Sequence, residues 1–260
     1  MDILNKSFAV KIVGFLLISG LKTTEITEDT ENSLKSLCSL CALWSIILTR
    51  IIYPDEIKKS QKRRYLLKQA LPSMMPMREF ILYSRTGRTD GRFNSLREAG
   101  RLDVVYQCIL MSIFASHALR RDVTFHAILG GPPAPPLELV VDGATLRDVH
   151  VDERTWEDLI RNALSGKSHP GISVRKNSLQ HLVKEKSNIF VLEESGESIR
   201  TIDLGESPVF VLGDQVGLPK KDEEFILRYG KKVSIGSRAY LASACVGIIN
   251  YILDQRESFD

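Results

Sequence analysis

The chain has 260 residues, 43% hydrophobic and 26% charged, an ordinary globular balance with enough material for one sizeable core or two small ones. Its formal net charge of +3 is uneven: residues 1–76 hold 11 basic and 7 acidic residues, and residues 77–260 hold 24 and 25, so the first segment carries about +4 and the rest about −1. That balance excludes a nucleic-acid binder working by bulk charge. Any polyanion surface in the second segment has to be local, as around Arg101, Arg120 and Arg121.

In chain order, residues 1–76 come first and are a different kind of sequence. Residues 8–21 (FAVKIVGFLLISGL) and 36–53 (SLCSLCALWSIILTRIIY) are apolar runs interrupted by Lys11 and Arg50. Both fall short of the roughly 20 apolar residues a spanning helix needs. A basic run follows at 58–68, then the turn-like LPSMMP at 71–76. Three readings compete: a small membrane-anchoring or signal segment, a helical accessory segment, or translated sequence upstream of a natural start at Met77. The third is favoured, because a methionine followed at once by the strand-like REFILYS reads as a beginning. The extension itself is then helical or disordered, and membrane attachment is not expected. Cys38 and Cys41 form a lone C-x-x-C with no second pair to complete a zinc site.

From Met77 onward, strand and helix signals alternate. Residues 78–84 (REFILYS) read as a strand and 85–92 (RTGRTDGR) as a loop rich in glycine and arginine. Apolar positions from 101 to 119, including Leu102, Val105, Ile109 and Ile113, predict a helix of about five turns, roughly 27 Å long. Residues 123–129 (VTFHAIL) read as a buried strand. Residues 130–136 (GGPPAPP) can be neither helix nor central strand. Further strands are predicted at 137–141, 172–175, 188–192, 208–212 and 232–235. Further helices are predicted at 152–164, 178–184, 223–229 and 240–254. This order is that of an α/β domain with a mainly parallel sheet and helices on both faces.

The chemistry is constrained first by absences. No G-x-G-x-x-G, Walker loop, H-E-x-x-H or G-x-S-x-G occurs, which takes most of the weight from Rossmann hydride transfer, P-loop hydrolysis and serine hydrolase chemistry. Glycine-containing loops stand directly after apolar strands at 192–196 (LEESG), 212–217 (LGDQVG) and 235–240 (IGSRAY). Ligands of open α/β sheets bind outside the carboxyl ends of the strands, and three such loops can surround a flat ligand through main-chain groups. From spacing alone, the commoner reading is that these glycines only make strand-to-helix turns. Gly100–Arg101–Leu102–Asp103 opens the predicted helix and Arg120–Arg121–Asp122 closes it. The arginines suit phosphate oxygens, and Asp103 suits a helix dipole; the commoner reading of both is solvated or structural ion pairs. The two ends are too far apart to serve one small site within a subunit, and can line different parts of an extended RNA surface or meet across a dimer interface. The histidines (117, 126, 150, 169 and 181) are scattered, with no ligand spacing. Cys108 and Cys245 sit in apolar runs as buried free thiols, which suits a reducing compartment.

Taken together, the stretches MREFILYSRTGRTD, GRLDVVYQCILMSIFASHALRRDVTFHAILGGPPAPP, DERTWEDLI, PGISVRK, PVFVLGDQVGL and VSIGSRAYLASACVGIINYILD resemble the archaeal tRNA (pseudouridine-54-N1) methyltransferase family, from Met77 to about Gln255. The long 101–136 block is specific where the glycine loops alone are not, and the family begins where Met77 stands. The resemblance implies a domain at 77–260 of the SPOUT type, with a C-terminal trefoil knot of a kind otherwise nearly absent from proteins. It implies S-adenosylmethionine as cofactor, held at Leu192, Gly213, the loop Ile235, Gly236, Ser237, Arg238, Ala239, Tyr240, and Cys245. It implies a cytoplasmic homodimer acting on tRNA without a metal. Related N1-specific pseudouridine methyltransferases of ribosomal RNA share an Arg-x-Asp at the same helix start, here Arg101 and Asp103. Asp103 is therefore the candidate general base, or else the group that orients Arg101. Arg101, Arg120 and Arg121 are the candidate RNA contacts. The loop IGSRAY departs from the proline- and leucine-containing form of the family. The alternatives are the same chemistry on a ribosomal RNA pseudouridine, or a non-catalytic RNA-binding protein of this fold.

Overall fold

The computed structural model describes residues 77–116 and 118–257, within the second of two units into which the chain divides, Leu66–Asp260. The expectations for residues 1–76, for the Cys38–Cys41 pair and for His117 lie outside the described residues.

The described chain runs β1 (Arg78–Ser84), α1 (Leu102–Ile113), β2 (Phe114–Ala115), β3 (Ala118–Leu119), β4 (Val123–Leu129), β5 (Leu137–Asp142), α2 (Glu153–Leu164) and β6 (Ile172–Arg175). It continues through α3 (Leu179–Lys184), β7 (Ile189–Ser198), β8 (Val209–Gly213), α4 (Lys220–Ile226), β9 (Gly230–Ser234) and α5 (Ala242–Glu257). Seven strands form one sheet in the order β6-β5-β4-β1-β8-β7-β9, and β2 and β3 form a separate hairpin. Neighbours from β4 to β9 pair in parallel, while β5 is antiparallel to both β4 and β6. The sheet is therefore mixed and mainly parallel, as the alternation predicts.

Strands buried on both faces need continuous apolar runs, and VTFHAIL and PVFVL supply them. One face packs Phe80, Phe125, Phe190 and Phe210 against α1, α2 and α5. The other packs Ile81, Ile128, Val191 and Val211 against α3 and α4. Phe80 and Phe190 each stack on Phe210 at 5.7 Å across three adjacent parallel strands whose register places them side by side. Such pairs contribute about 0.5–1.5 kcal/mol each beyond burial. The helix α2 begins one residue later than predicted because Asp152 is its cap, accepting the Thr155 N–H at 2.8 Å. Among the described residues, no helix is long and apolar enough to cross a membrane.

Two expectations are corrected. The helix predicted over 101–119 stops at Ile113. Phe114 turns to an extended conformation, pairs with Leu119 in the hairpin, and sets its ring edge-on to Trp156 at 6.2 Å. Apolar spacing alone does not separate these alternatives for so short a run. The 12-residue helix is about 18 Å long. The second correction concerns 192–196, predicted as a loop. It lies inside β7, whose pairing with β9 shifts between Leu192 and Glu197, so LEESG is an irregular bulge. Gly196 serves that bulge, since a Cβ there would meet the Val233 backbone at 2.5 Å.

The second face also carries a buried ionic network that joins four strands. His126 Nδ1 lies 2.7 Å from Glu138 Oε1 and its Nε2 lies 3.0 Å from Glu79 Oε2. Arg175 and Asn177 donate to Glu138, and Lys186 pairs with Glu79 at 2.5 Å. Burial opposes charge on each group, but the partners prevail: the His126 pKa is raised, and the carboxyls of Glu79 and Glu138 are lowered, Glu138 to about 2. The His126 contribution to stability is complete below its ordinary value of 6.5 and is lost as pH rises through its raised folded value. The two carboxylates contribute above their ordinary 4.5 and lose that contribution as pH falls through their lowered values. The contribution of this network to the melting temperature should therefore be greatest between about pH 4.5 and 6.5 and be lost as pH rises through the raised His126 value. In His126→Gln the alkaline fall should be flattened; an unchanged pH slope in differential scanning calorimetry would exclude a charged His126.

Candidate functional site at the carboxyl rim of the sheet

Parallel pairing brings three strand ends to one rim. Val191 is in register with Val211, and Leu192 with Val233, so Leu192, Gly213 and the loop beginning at Ile235 emerge side by side. Cys245, in the first turn of α5, joins them: its N–H donates to Leu241 O at 2.9 Å and its Sγ lies 3.7 Å from Tyr240 O. The expected cofactor positions, 192, 213, 235–240 and 245, are thus brought together. Burial pushes the Cys245 thiol up to about 11, so it is neutral at pH 7, a weak donor and no nucleophile.

The loops at this rim are built by their own side chains. Asp214 Oδ1 accepts the Val216 N–H at 2.9 Å, its Oδ2 accepts the Arg85 N–H at 2.8 Å, and its own N–H donates to Tyr83 O. This one carboxylate ties the loop after β8 to the loop after β1. The Ser234 hydroxyl donates to Gly236 O at 3.0 Å and accepts the Gly236 N–H at 3.2 Å, fixing the start of the 235–241 loop, while residues 236–241 are exposed. A Cβ at Gly213 would meet the Gly217 and Leu218 backbone at 2.3–2.4 Å, so the returning loop lies flat on the strand end. Gly217 and Gly236 both have positive φ and nothing within 4 Å of where a Cβ would stand. The rim thus has open space at two glycines, where a flat ligand can meet main-chain groups.

The second part of the site is the entry to α1. Gly100 and Arg101 both adopt the left-handed conformation, with φ of 70° and 68°. For a non-glycine residue this is strained, and such strain persists where surrounding structure imposes it. Here the Thr86 hydroxyl donates to Gly100 O at 2.9 Å, and a Cβ on residue 100 would overlap Thr86 O. The result is that Arg101 folds back on Asp103, with Nε to Oδ1 at 2.9 Å and Nη2 to Oδ2 at 3.1 Å. The Arg101 side chain is 43% exposed and Asp103 17%. The hydrogen bond that Arg101 donates to Asp103 raises the Arg101 pKa, and the charge of Asp214 adds to it.

Arg120 and Arg121 are not brought to this rim. They precede β4, at the opposite end of the sheet, where Asp122 O accepts the Arg78 N–H. Arg120 pairs with Asp254 near the end of α5 at 2.6 Å, and Arg121 donates to the carbonyls of Gly143 and Leu146. Within one chain these two arginines and Arg101 therefore stand at opposite ends of the sheet and do not form one small site. Sequence reasoning missed Asp214 and Ser234 as loop-builders; the only local signal was an acceptor side chain two residues before an N–H, as in an Asx turn.

Residues 77–258 match a family model described as "Putative SAM-dependent RNA methyltransferase". The chain is 36% identical over 193 residues to a protein of Methanocella arvoryzae named tRNA (pseudouridine(54)-N(1))-methyltransferase, covering 69% of this chain and 100% of that protein. It is 35% identical over 202 residues to the protein of the same name from Methanocaldococcus jannaschii, covering 69% of this chain and 98% of that one. Among solved structures, Archaeoglobus fulgidus Nep1 bound to S-adenosylhomocysteine aligns with a TM-score of 0.54 at 11% identity, over 71% of this chain and all of that one. This likeness is one of fold.

Proposed function

Because this chain belongs to the SAM-dependent RNA methyltransferase family that includes the archaeal tRNA (pseudouridine(54)-N(1))-methyltransferases, we propose that it methylates N1 of the pseudouridine at position 54, in the T-loop of tRNA. The observation that carries this reading is identity of 35–36% over 98–100% of the length of relatives bearing that name. The methyltransferase domain is residues 77–260, and its first strand follows Met77 directly.

S-adenosylmethionine supplies a methyl group made electrophilic by its sulfonium. Leu192, Gly213, Ile235 to Tyr240 and Cys245 hold it, largely through main-chain groups at the rim. Asp214 and Ser234 keep those loops in place before the cofactor arrives, so less ordering remains to be done on binding. Arg101 and Asp103 face the RNA. A target base in a folded loop has to leave its stack to reach such a site. Asp103 then accepts the N1 proton, or the hydrogen bond of that N–H, while Arg101 fixes the carboxylate and reaches a phosphate or base oxygen. Positioning of the acceptor nitrogen supplies much of the acceleration.

We take the fold as a SPOUT domain whose trefoil knot is formed within 189–257. In support, β8 follows β7 yet lies between it and β1, and α5 returns to pack on α1. The working unit is a homodimer in the cytoplasm. A dimer surface is offered by α1 and α5: Met111 is 46% exposed and Tyr251 59%, and Met111 reaches Gly247, one helical turn before Tyr251. In a dimer Arg120 and Arg121 line a different part of the RNA path from Arg101. Two free buried cysteines, Cys108 and Cys245, accord with a reducing compartment.

The test is methyl transfer from labelled S-adenosylmethionine by the full chain to tRNA transcripts carrying uridine or pseudouridine at position 54. Label only in the pseudouridine tRNA, from a species of twice the chain's mass in sedimentation, is the expected result. Label in ribosomal RNA alone, or none from a protein that binds the cofactor, would overturn the tRNA assignment.

A further inference from the structure

The segment 85–101 (RTGRTDGRFNSLREAGR) holds five arginines against Asp90 and Glu98, in a domain that is otherwise acidic on balance. Two of the five are paired within the loop: Arg88 with Asp90 at 2.8 Å, and Arg101 with Asp103 at 2.9 Å. Arg85, Arg92 and Arg97 are exposed, and their guanidinium groups have no hydrogen-bond or ion-pair partner among the described residues. Exposed arginines are common, and three alone would mean little. What distinguishes these is the frame that carries them.

The frame is rigid and anchored at the reaction site. Arg88 N–H donates to Ala99 O and Thr89 N–H to Pro132 O, while Gly87 O accepts the Gly131 N–H, all at 2.9–3.0 Å. Leu96 and Ala99 are fully buried beneath the loop. Glycine is required at 131, where a Cβ would meet Thr86 O at 2.2 Å. One end of the loop is tied to the cofactor rim, since Arg85 N–H donates to Asp214. The far end packs on the carboxyl end of α2, where Gly91 leaves no room beside Arg161 O and Ser165. The chain then returns through Arg97, whose carbonyl accepts the Arg101 N–H, into the strained turn at Arg101. Arginines on such a frame lose less freedom on binding than arginines on a loose arm.

We infer that Arg85, Arg92 and Arg97 hold backbone phosphates of the substrate RNA on either side of the target base, and so set its register over Arg101 and Asp103. The inference rests on the tRNA methyltransferase reading. Phosphate contacts position a nucleic acid without reading its sequence, and each contributes counterion release, which makes binding salt-dependent. Arginine suits the task because its planar fork meets phosphate oxygens two at a time.

The experiment measures tRNA binding by the full chain across a salt series, beside S-adenosylhomocysteine binding and methyl transfer. The variants are Arg85→Gln, Arg92→Gln, Arg97→Gln and the triple, with Lys231→Gln, exposed near the amino end of β9, as a comparison. Each loop variant should lower the slope of log K against log salt by about 0.7–1, and the triple by about 2–3. The triple should weaken tRNA binding at least tenfold and lower kcat at saturating tRNA, since the target base loses its register, with S-adenosylhomocysteine affinity and melting temperature unchanged. Lys231→Gln should leave the slope alone. A parent that methylates tRNA while the triple keeps the parent's slope and affinity would overturn this inference and leave the function standing. A parent that neither binds nor methylates tRNA would overturn both.

Discussion

Replacing Asp103 with alanine should lower kcat for methyl transfer to the pseudouridine tRNA by about 10²–10⁴-fold, with cofactor affinity and thermal stability unchanged. The ion pair to Arg101 is partly exposed, and pairs of this kind stabilise by about 0–1 kcal/mol. Its loss therefore leaves the fold intact. Arg101→Gly sharpens the test. A left-handed conformation costs an ordinary residue roughly 1–2 kcal/mol and costs glycine little. That relief offsets the lost ion pair and the greater freedom of an unfolded glycine, so stability should stay within about 1 kcal/mol of the parent while transfer collapses. A turn that served structure alone would behave in the opposite way, losing stability and keeping activity. Asp103→Asn separates the two roles open to the carboxylate. If it takes the N1 proton, Asp103→Asn should be as slow as Asp103→Ala. If it only holds Arg101, the amide oxygen still accepts from the guanidinium and kcat falls less. Single-turnover rates with saturating cofactor decide between these outcomes.

The largest effect on stability should come from Glu138→Ala. Glu138 is wholly buried, and it satisfies His126, Arg175 and Asn177 at once. Removing one partner of a buried ionic group leaves the others uncompensated, which costs about 3–5 kcal/mol. For a domain of this size that corresponds to roughly 6–20 °C in melting temperature. Glu138→Gln keeps acceptor capacity and should cost less. The double variant His126→Leu with Glu138→Leu should recover part of the loss, because two apolar groups replace a pair rather than orphan one member. A Glu138→Ala protein melting within 2 °C of the parent would show that the network contributes no more than an exposed pair. Transfer by the folded fraction should be unaffected, since the network lies on the sheet face away from α1.

How far the site was legible before the structure differs from residue to residue. The glycine loops at 212–217 and 235–240 stood out because a turn at a strand end requires small residues close to the strand. The Arg101–Leu102–Asp103 turn was visible as a helix start, and the family resemblance gave it a role. Its left-handed conformation was not visible, because the Thr86 contacts that hold the preceding Gly100 come from a loop fourteen residues earlier. Arg120 was legible as a candidate RNA contact at the far end of the predicted helix, but its pairing with Asp254, 134 residues away, was not.

Local pattern was enough for the alternation of strands and helices and for the burial of both sheet faces, because each depends on residues within one turn or one strand. It was not enough where two conformations suit the same short run. Residues 114–119 keep an apolar character that serves a helix or a hairpin, and only the ring of Trp156 and the pairing with Leu119 select the hairpin. LEESG likewise reads as a loop until Val233 lies against Gly196. The strand order, the network through Glu79, His126, Glu138 and Arg175, and the joining of two loops by Asp214 are decided by tertiary contact alone. Each is a pairing between residues far apart in the chain, and their distance in space is set by the whole sheet rather than by any segment of it.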